Sequence, residues 1–326
     1  MTWGAGAAPQ NPWRSVPDTH SFMGQGPTNN ALLAHEAYVH YPIQRRETVK
    51  TFRLGIVEWA LPVTGPACVR LAAEMGLQGV ELDFGDFEKG FPLSNQRIQS
   101  YYLEYAAQHG IEFPSLALNA FALNGMSRPR NSGKGLAAVE AIKKGVAAAA
   151  KMGIPVIQLP SFDDGAIQSE EDFRNTVEKI RLACRLAEPH GIVIASENIL
   201  SAEETERMIA EVDTENFRIM FDTQNYNLNK GYNEADLLRK IHRHVIQVHI
   251  KDGYNKTISS ALIGEGENGF LETAQVIIET ACTDWLLFEN YYHIRPLSDL
   301  NEDPFELLRR DIEKARAVFP IAVPHA

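Results

Sequence analysis

Beyond about residue 50, short runs of β-branched and aromatic residues alternate with longer stretches in which apolar positions recur every three to four residues. Eight such units fit the chain. Strands are predicted at 52–59, 79–84, 111–119, 155–160, 191–197, 217–223, 244–251 and 284–289. Helices are predicted near 65–75, 95–109, 133–152, 169–188, 201–211, 232–243, 270–282 and 304–318. Several helix starts carry their own signals. Ser169 with Asp172 and Ser201 with Glu204 have capping-box spacing, and Asp303 precedes a first-turn proline. Gly76, Gly110, Gly153 and Gly191 each stand between a helix and a strand, where a left-handed C-cap is expected. Eight strand–helix units in roughly 270 residues is the size of a closed α/β (β/α)8 TIM barrel.

A doubly wound open sheet would place a glycine-rich phosphate loop after an early strand. Here the first strand runs into EWALPVTGP instead. The GEGENG stretch at 264–269 comes late, after a strand and a long loop, so its glycines are expected to shape a turn. Residues 51–326 are therefore assigned to the barrel. Residues 1–50 are rich in Gly, Pro and Asn, yet carry Trp3, Trp13, Tyr38 and Tyr41, and are expected to form an arm that covers its aromatic surface on a partner.

Composition narrows the setting. Of the 326 residues, 44% are hydrophobic, ample for a packed core. A net charge of −11 repels phosphate backbones, and no Lys/Arg cluster offsets it, so nucleic acid is not expected as a partner. No apolar run approaches membrane-spanning length and the first residues lack a signal-peptide pattern, which together suggest a cytoplasmic protein without a membrane partner. Cys68, Cys184 and Cys282 are odd in number, widely spaced and within helical patterns. Buried free thiols are expected.

The candidate chemistry lies at the ends of the last four strands: Glu197 in IVIASEN, Asp222 in RIMFDTQN, His249 in VIQVHIKDG and Glu289 in WLLFEN. Separations of 25, 27 and 40 residues each leave room for one helix and one return strand, so a barrel would gather all four on its catalytic rim. A single acid at a strand end is commonly a solvated loop residue or a cap. Four in succession, each after apolar residues, would bring three carboxylates together at high cost without a cation. Oxygen-rich ligation with one imidazole suits Mn²⁺, Co²⁺ or Mg²⁺ better than a closed zinc site.

The order Glu, Asp, His, Glu, with the phrases SEN, FDTQN, HIKDG and FEN, resembles the xylose isomerase-like barrels over about residues 52–319. That superfamily holds sugar isomerases, ketose 3-epimerases, dehydratases and endonucleases, so the likeness implies fold and metal more firmly than reaction. Ketose 3-epimerases place a substrate-binding His three residues after the metal Asp and an Arg six after the metal His; here Asn225 and Asn255 stand there, although Glu203 matches a substrate-contacting Glu of that group. The phrases EWALPVTGP, GVELDFG, GFPLSN, FDTQNYN and FENYYH look most like the α subunit of bacterial C-glycoside deglycosidases. That likeness implies a lyase that enolises a 3-oxo-C-glycoside and expels the aglycone by β-elimination, in a hetero-oligomer with a small β-rich second subunit. The alternative is a ketose or keto-sugar isomerase or 3-epimerase, which begins with the same proton abstraction.

Glu197 and Glu289 are expected as acid/base groups as well as ligands, on the pattern of related epimerases, with His293 in ENYYH as a further acid/base or a loop residue packed on Tyr292. Asn225 and Glu203 are substrate-contact candidates from the same likeness. Gln247 and Lys251 share a strand face with His249 and are candidates for substrate oxygens, Lys251 alternatively for neutralising carboxylates. Trp59, beside Glu58 at the end of the first strand, could stack on a sugar or aglycone or simply pack under the barrel.

Overall fold

A computed structural model describes residues 50–322. Eight parallel strands close on themselves in chain order: β1 (Arg53–Val57), β2 (Gly79–Asp83), β3 (Leu116–Ala117), β4 (Val156–Pro160), β5 (Val193–Glu197), β6 (Phe217–Asp222), β7 (Val245–Ile250) and β8 (Trp285–Phe288). Pairing of Arg53 with Trp285 and Ile56 with Phe288 joins β1 to β8. Around them lie α1 (Ala67–Glu74), α2 (Gln96–His109), α3 (Gly133–Met152), α4 (Glu170–Ala187), α5 (Ala202–Val212), a short α6 (Asn225–Lys230), α7 (Glu234–Ile241), α8 (Phe270–Thr280) and α9 (Pro304–Val318). The expected (β/α)8 TIM barrel is the fold observed. The arm proposed for residues 1–50 lies outside the described residues except for Lys50.

Local signals explain the helix starts. The Ser169 and Ser201 side chains accept from the N–H groups of Asp172 and Glu204, the latter in a full capping box, and Asp303 accepts from Phe305 N–H. Amphipathic helices then bury their apolar stripes on the outer strand faces, and most of the core lies in that layer. Val156, Ala195 and Met220 form a separate small apolar cluster. Each lies two residues from a barrel-facing polar residue, Gln158, Glu197 and Asp222 respectively, so alternation places this cluster directly under the polar rim.

Two elements differ from expectation. The third strand, predicted over 111–119, ladders only at Leu116–Ala117, with one isolated bridge from Glu112 to Gly79. Pro114 has no N–H to give a ladder, and its carbonyl instead accepts from Gln247 Nε2 at 3.0 Å. The stretch predicted as one helix over 232–243 is α7 followed by a 3₁₀ turn, and the residues straight after β6, for which no helix is predicted, form α6. All three cysteines are free, as expected; Cys68 and Cys184 are buried, whereas Cys282 is half-buried. Among the described residues no helix is long and apolar enough to cross a membrane.

Candidate metal centre and active site

Strand register alone brings the four predicted ligands together. Asp222 on β6 is the register partner of His249 on β7, and neighbouring residues in a parallel ladder point the same way. Glu197 pairs with Met220, two residues before Asp222, and His249 pairs with Leu287, two before Glu289, so all four share the inner face in adjacent layers. All are buried, and one ligand atom from each lies within 4.8 Å of the others.

The hydrogen bonds show which atom each residue presents. His249 Nε2 lies 2.7 Å from Glu81 Oε2, which leaves Nδ1 facing the cluster, 3.3 Å from Glu289 Oε2 and 3.5 Å from Glu197 Oε1. Asp222 Oδ1 accepts the backbone N–H groups of Gln224 (2.7 Å) and Asn225 (2.6 Å) at the start of α6, so Oδ2 is the oxygen turned inward. His249 Nδ1 is buried without a hydrogen-bond partner, and the contact of the buried Asp222 Oδ2 is an ion pair with Lys251. Three carboxylates and one imidazole turned toward a single buried point fit a divalent cation. Glu197 Oε1 accepts from Asn225 Nδ2 at 3.0 Å and its Oε2 accepts from Gln158 Nε2. Glu289 Oε1 accepts from Trp59 Nε1 at 3.1 Å.

One cation is built into the site. Lys251 Nζ, fully buried, lies 2.6 Å from Glu289 Oε2 and 3.2 Å from Asp222 Oδ2. Burial opposes ionisation of Glu289, but Lys251 and His249 outweigh it and hold this carboxyl well below the usual range. Burial pushes Asp222 upward against the pull of Lys251, and the charges of Glu289 and Glu197 add to that push. Burial would lower His249, yet Glu289, Glu81 and Glu197 together raise it well above an ordinary imidazole. A bound divalent ion would reverse these pressures on Asp222 and His249.

Above the cluster a cavity of about 560 Å³ is lined by Trp59, Glu197, Asn225, Lys251, Glu289 and Tyr291, among others. Its mouth carries Lys256 and Ile258, from the long segment between β7 and α8. Asp252 anchors that segment, accepting from the N–H groups of Gly253, Gly264 and Gly266 and from Asn268 Nδ2. A Cβ at Gly266 would stand 2.2 Å from Asp252 Oδ1, so the GEGENG glycines build a turn around a carboxylate, as the sequence suggested.

Other candidates fall elsewhere. Gln247 is committed to Pro114 O and does not line the cavity. Glu203 is exposed on α5, beside Ser201 and Lys240, and is not brought to the cluster. His293 is half-buried, its Nδ1 without a hydrogen-bond partner, and it too is absent from the cavity wall. Two residues that sequence reasoning passed over hold the ligands in place, Glu81 on His249 and Gln158 on Glu197. Glu81 had left a trace: it is an acid in mid-strand within GVELDF, where burial without a partner would be costly.

A closed parallel barrel with three carboxylates and an imidazole gathered at its rim defines a class of barrels with a candidate metal site. Residues 69–316 match the model of the xylose isomerase-like TIM barrel family, to which this chain belongs. It is 32% identical over 272 residues to the 2-epi-5-epi-valiolone 7-phosphate 2-epimerase of Actinoplanes sp. (strain SE50/110), covering 82% of this chain and 94% of that protein. Among solved structures, 3-keto-D-glucoside 4-epimerase from E. coli superposes with a TM-score of 0.65 at 19% identity, over 82% of this chain and all of that one. D-psicose 3-epimerase from Clostridium cellulolyticum H10, solved with D-tagatose, gives 0.67 at 16% identity, over 83% of this chain and all of that one.

Proposed function

We propose that this protein is a divalent-metal-dependent epimerase of keto-sugars or keto-cyclitols, inverting a carbon next to a ketone. The observation that carries this reading is that Glu197 and Glu289 both line the cavity and, with Asp222 and His249, gather three carboxylates and one imidazole at a single buried point. The 32%-identical epimerase relative supports it. Glu197, Asp222, His249 and Glu289 would hold the ion, with Mn²⁺ preferred and Co²⁺ or Mg²⁺ as alternatives. When bound, the ion would polarise the ketone and acidify the neighbouring C–H.

The residues of the chain supply the proton transfers. Glu289, on the cavity wall and held by Trp59, is placed to take the proton from carbon, and the electron pair moves into the carbonyl as an enolate. Return of a proton to the opposite face, from Glu197 in its protonated form, gives the epimer, and proton exchange of both carboxyls with solvent restores the site. Asn225 and Gln158 hold the Glu197 carboxyl, and Trp59 holds Glu289, so neither base has to be oriented during the reaction. Lys251, on the cavity wall, can place positive charge near the oxygen that becomes negative.

Cleavage of a 3-oxo-C-glycoside would share the first step but needs an additional acid to protonate the departing aromatic carbon. His293, the sequence candidate for such a further acid, is not on the cavity wall, which favours epimerisation. Incubation of the Mn²⁺-loaded protein in D2O with D-psicose, a 3-oxo-glucose and a 3-oxo-C-glucoside, followed by NMR, separates the readings. Deuterium at the carbon beside the ketone with appearance of the epimer supports the proposal; release of free aglycone would move the assignment to the lyase.

A further inference from the structure

A second cavity, of about 430 Å³, adjoins the one over the ligand cluster, and Trp59 lines both. Its walls come from the segment after β1 (Trp59, Pro66), the end of β2 and the loop beyond it (Asp83, Asp86), and α2 (Tyr101, Tyr102). One carboxylate joins them. Glu58, buried, accepts the Gly65 N–H at 2.7 Å and the Tyr102 hydroxyl at 2.5 Å on Oε1, and the Asp83 N–H at 3.1 Å on Oε2. Both of its oxygens are thereby occupied in building the cavity.

Asp83 is placed differently. Its Oδ1 accepts the Gly85 N–H at 3.1 Å, and among the described residues no hydrogen bond reaches Oδ2. Burial raises this carboxyl to about 6 against the pull of the Gly85 N–H. Tyr101, exposed on one side, and Trp59 offer flat faces of the kind that cover the C–H face of a ring. Lys89 is the cation in the lining, and it lies 2.8 Å from Asp86, so a phosphate here would meet more negative than positive charge.

We propose that this cavity is a subsite for a neutral, hydroxyl-bearing ring joined to the ring that is deprotonated, so that the preferred substrate is a two-ring keto-glycoside and not a free monosaccharide. This rests on the epimerase reading above. Hydroxyl groups donate to Asp83 and Asp86 while the ring face lies on the aromatic wall. Trp59 links the two cavities chemically as well as spatially, because its indole N–H donates to Glu289 Oε1. A ring seated against Trp59 would fix the group that orients the base, so occupancy should raise turnover and not only affinity.

Solvent-deuterium incorporation into 3-oxo-glucose and 3-oxo-maltose, the latter oxidised on its non-reducing ring, tests this by the ratio of their kcat/KM values. Wild type should favour 3-oxo-maltose by about 10-fold or more, with part of the gain in kcat, and Tyr101→Ala and Asp83→Asn should each bring the ratio toward one. A ratio of one in wild type, or an undiminished preference in both variants, would overturn the subsite. Should neither ketone exchange its proton, the epimerase reading fails, and the cavity is then tested by binding alone. Saturation-transfer NMR with maltose should label ring protons on wild type and lose that labelling in Tyr101→Ala; absent or equal labelling in the two proteins would also overturn it.

Discussion

Glu81 and His249 stand 2.7 Å apart at the centre of the barrel, both fully buried, on strands β2 and β7. That contact decides which imidazole nitrogen is free to ligate. With Nε2 held by the carboxylate, the ring is fixed with Nδ1 toward Glu197 and Glu289. Glu81→Gln keeps most of the volume but removes the charge that supports the ring, so metal affinity should fall by about 10- to 100-fold. Competition titration with a chromogenic chelator measures this. An unchanged affinity would mean that His249 needs no such support.

Lys251 bridges two ligand carboxylates, at 2.6 Å from Glu289 and 3.2 Å from Asp222. Lys251→Met leaves those acids buried without their internal counter-charge, which costs on the order of 3–5 kcal/mol when one partner of a buried pair is removed. The metal-free variant should therefore melt well below metal-free wild type. Adding Mn²⁺ should recover more stability in the variant than in wild type, because the ion then supplies the missing charge. Thermal scans with and without Mn²⁺ read both effects. Equal metal-free melting temperatures would show that the ammonium is not holding the cluster together.

Glu234 gives a pH prediction away from the metal centre. Its Oε1 accepts the Asn227 N–H at 2.6 Å, linking α7 to α6, while Oε2 is buried without a partner. Burial outweighs the backbone hydrogen bonds and raises this carboxyl to about 8. Because the folded value lies above the unfolded one, the folded state takes up a proton. The contribution is therefore fully present below the ordinary glutamate value, and it is lost as pH rises to about 8. Glu234→Gln keeps the acceptor for Asn227, so its stability should fall less between pH 5 and 8 than that of wild type. Denaturant midpoints across this range test the sign. A variant with the same slope as wild type would contradict it.

Trp59→Phe removes the indole N–H that holds Glu289 Oε1 while keeping an aromatic wall for the cavity. The expected result is a lower kcat with a smaller change in metal affinity, since Lys251 and His249 still face the same carboxylate. A variant that lost its metal but turned over normally once reloaded would show that Trp59 supports the ion and not the base.

The residues that were legible in the sequence share a physical feature: their position is set by strand period. Glu197, Asp222, His249 and Glu289 terminate apolar runs, and parallel register then aligns them without further information. Glu81 and Gln158 were less visible, because each lies within a strand and is polar only to serve a partner on another strand. Gln247 shows the converse. Period placed it on the inward face with His249, but the carbonyl that captures it belongs to Pro114, outside the β3 ladder. Glu203 and His293 were suggested by sequence likeness and spacing, and no packing relation brought either into the cavity. Helix α6 follows from Asp222 caring for two backbone N–H groups, a contact that hydrophobic pattern does not reveal.

The central claim is that a metal site bearing Glu289 removes a proton from carbon beside a ketone. It is tested most directly by following 3-oxo-maltose by NMR in D2O with wild type, Glu289→Gln and Asp222→Ala, each analysed for bound metal. Mn²⁺-loaded wild type should incorporate deuterium at one carbon next to the ketone and form its epimer. Asp222→Ala should lose the ion and the exchange together, and Glu289→Gln should slow exchange by about 10²-fold or more even where metal is retained. Undiminished deuterium incorporation in metal-bearing Glu289→Gln, or full exchange by chelator-treated wild type, would contradict the account.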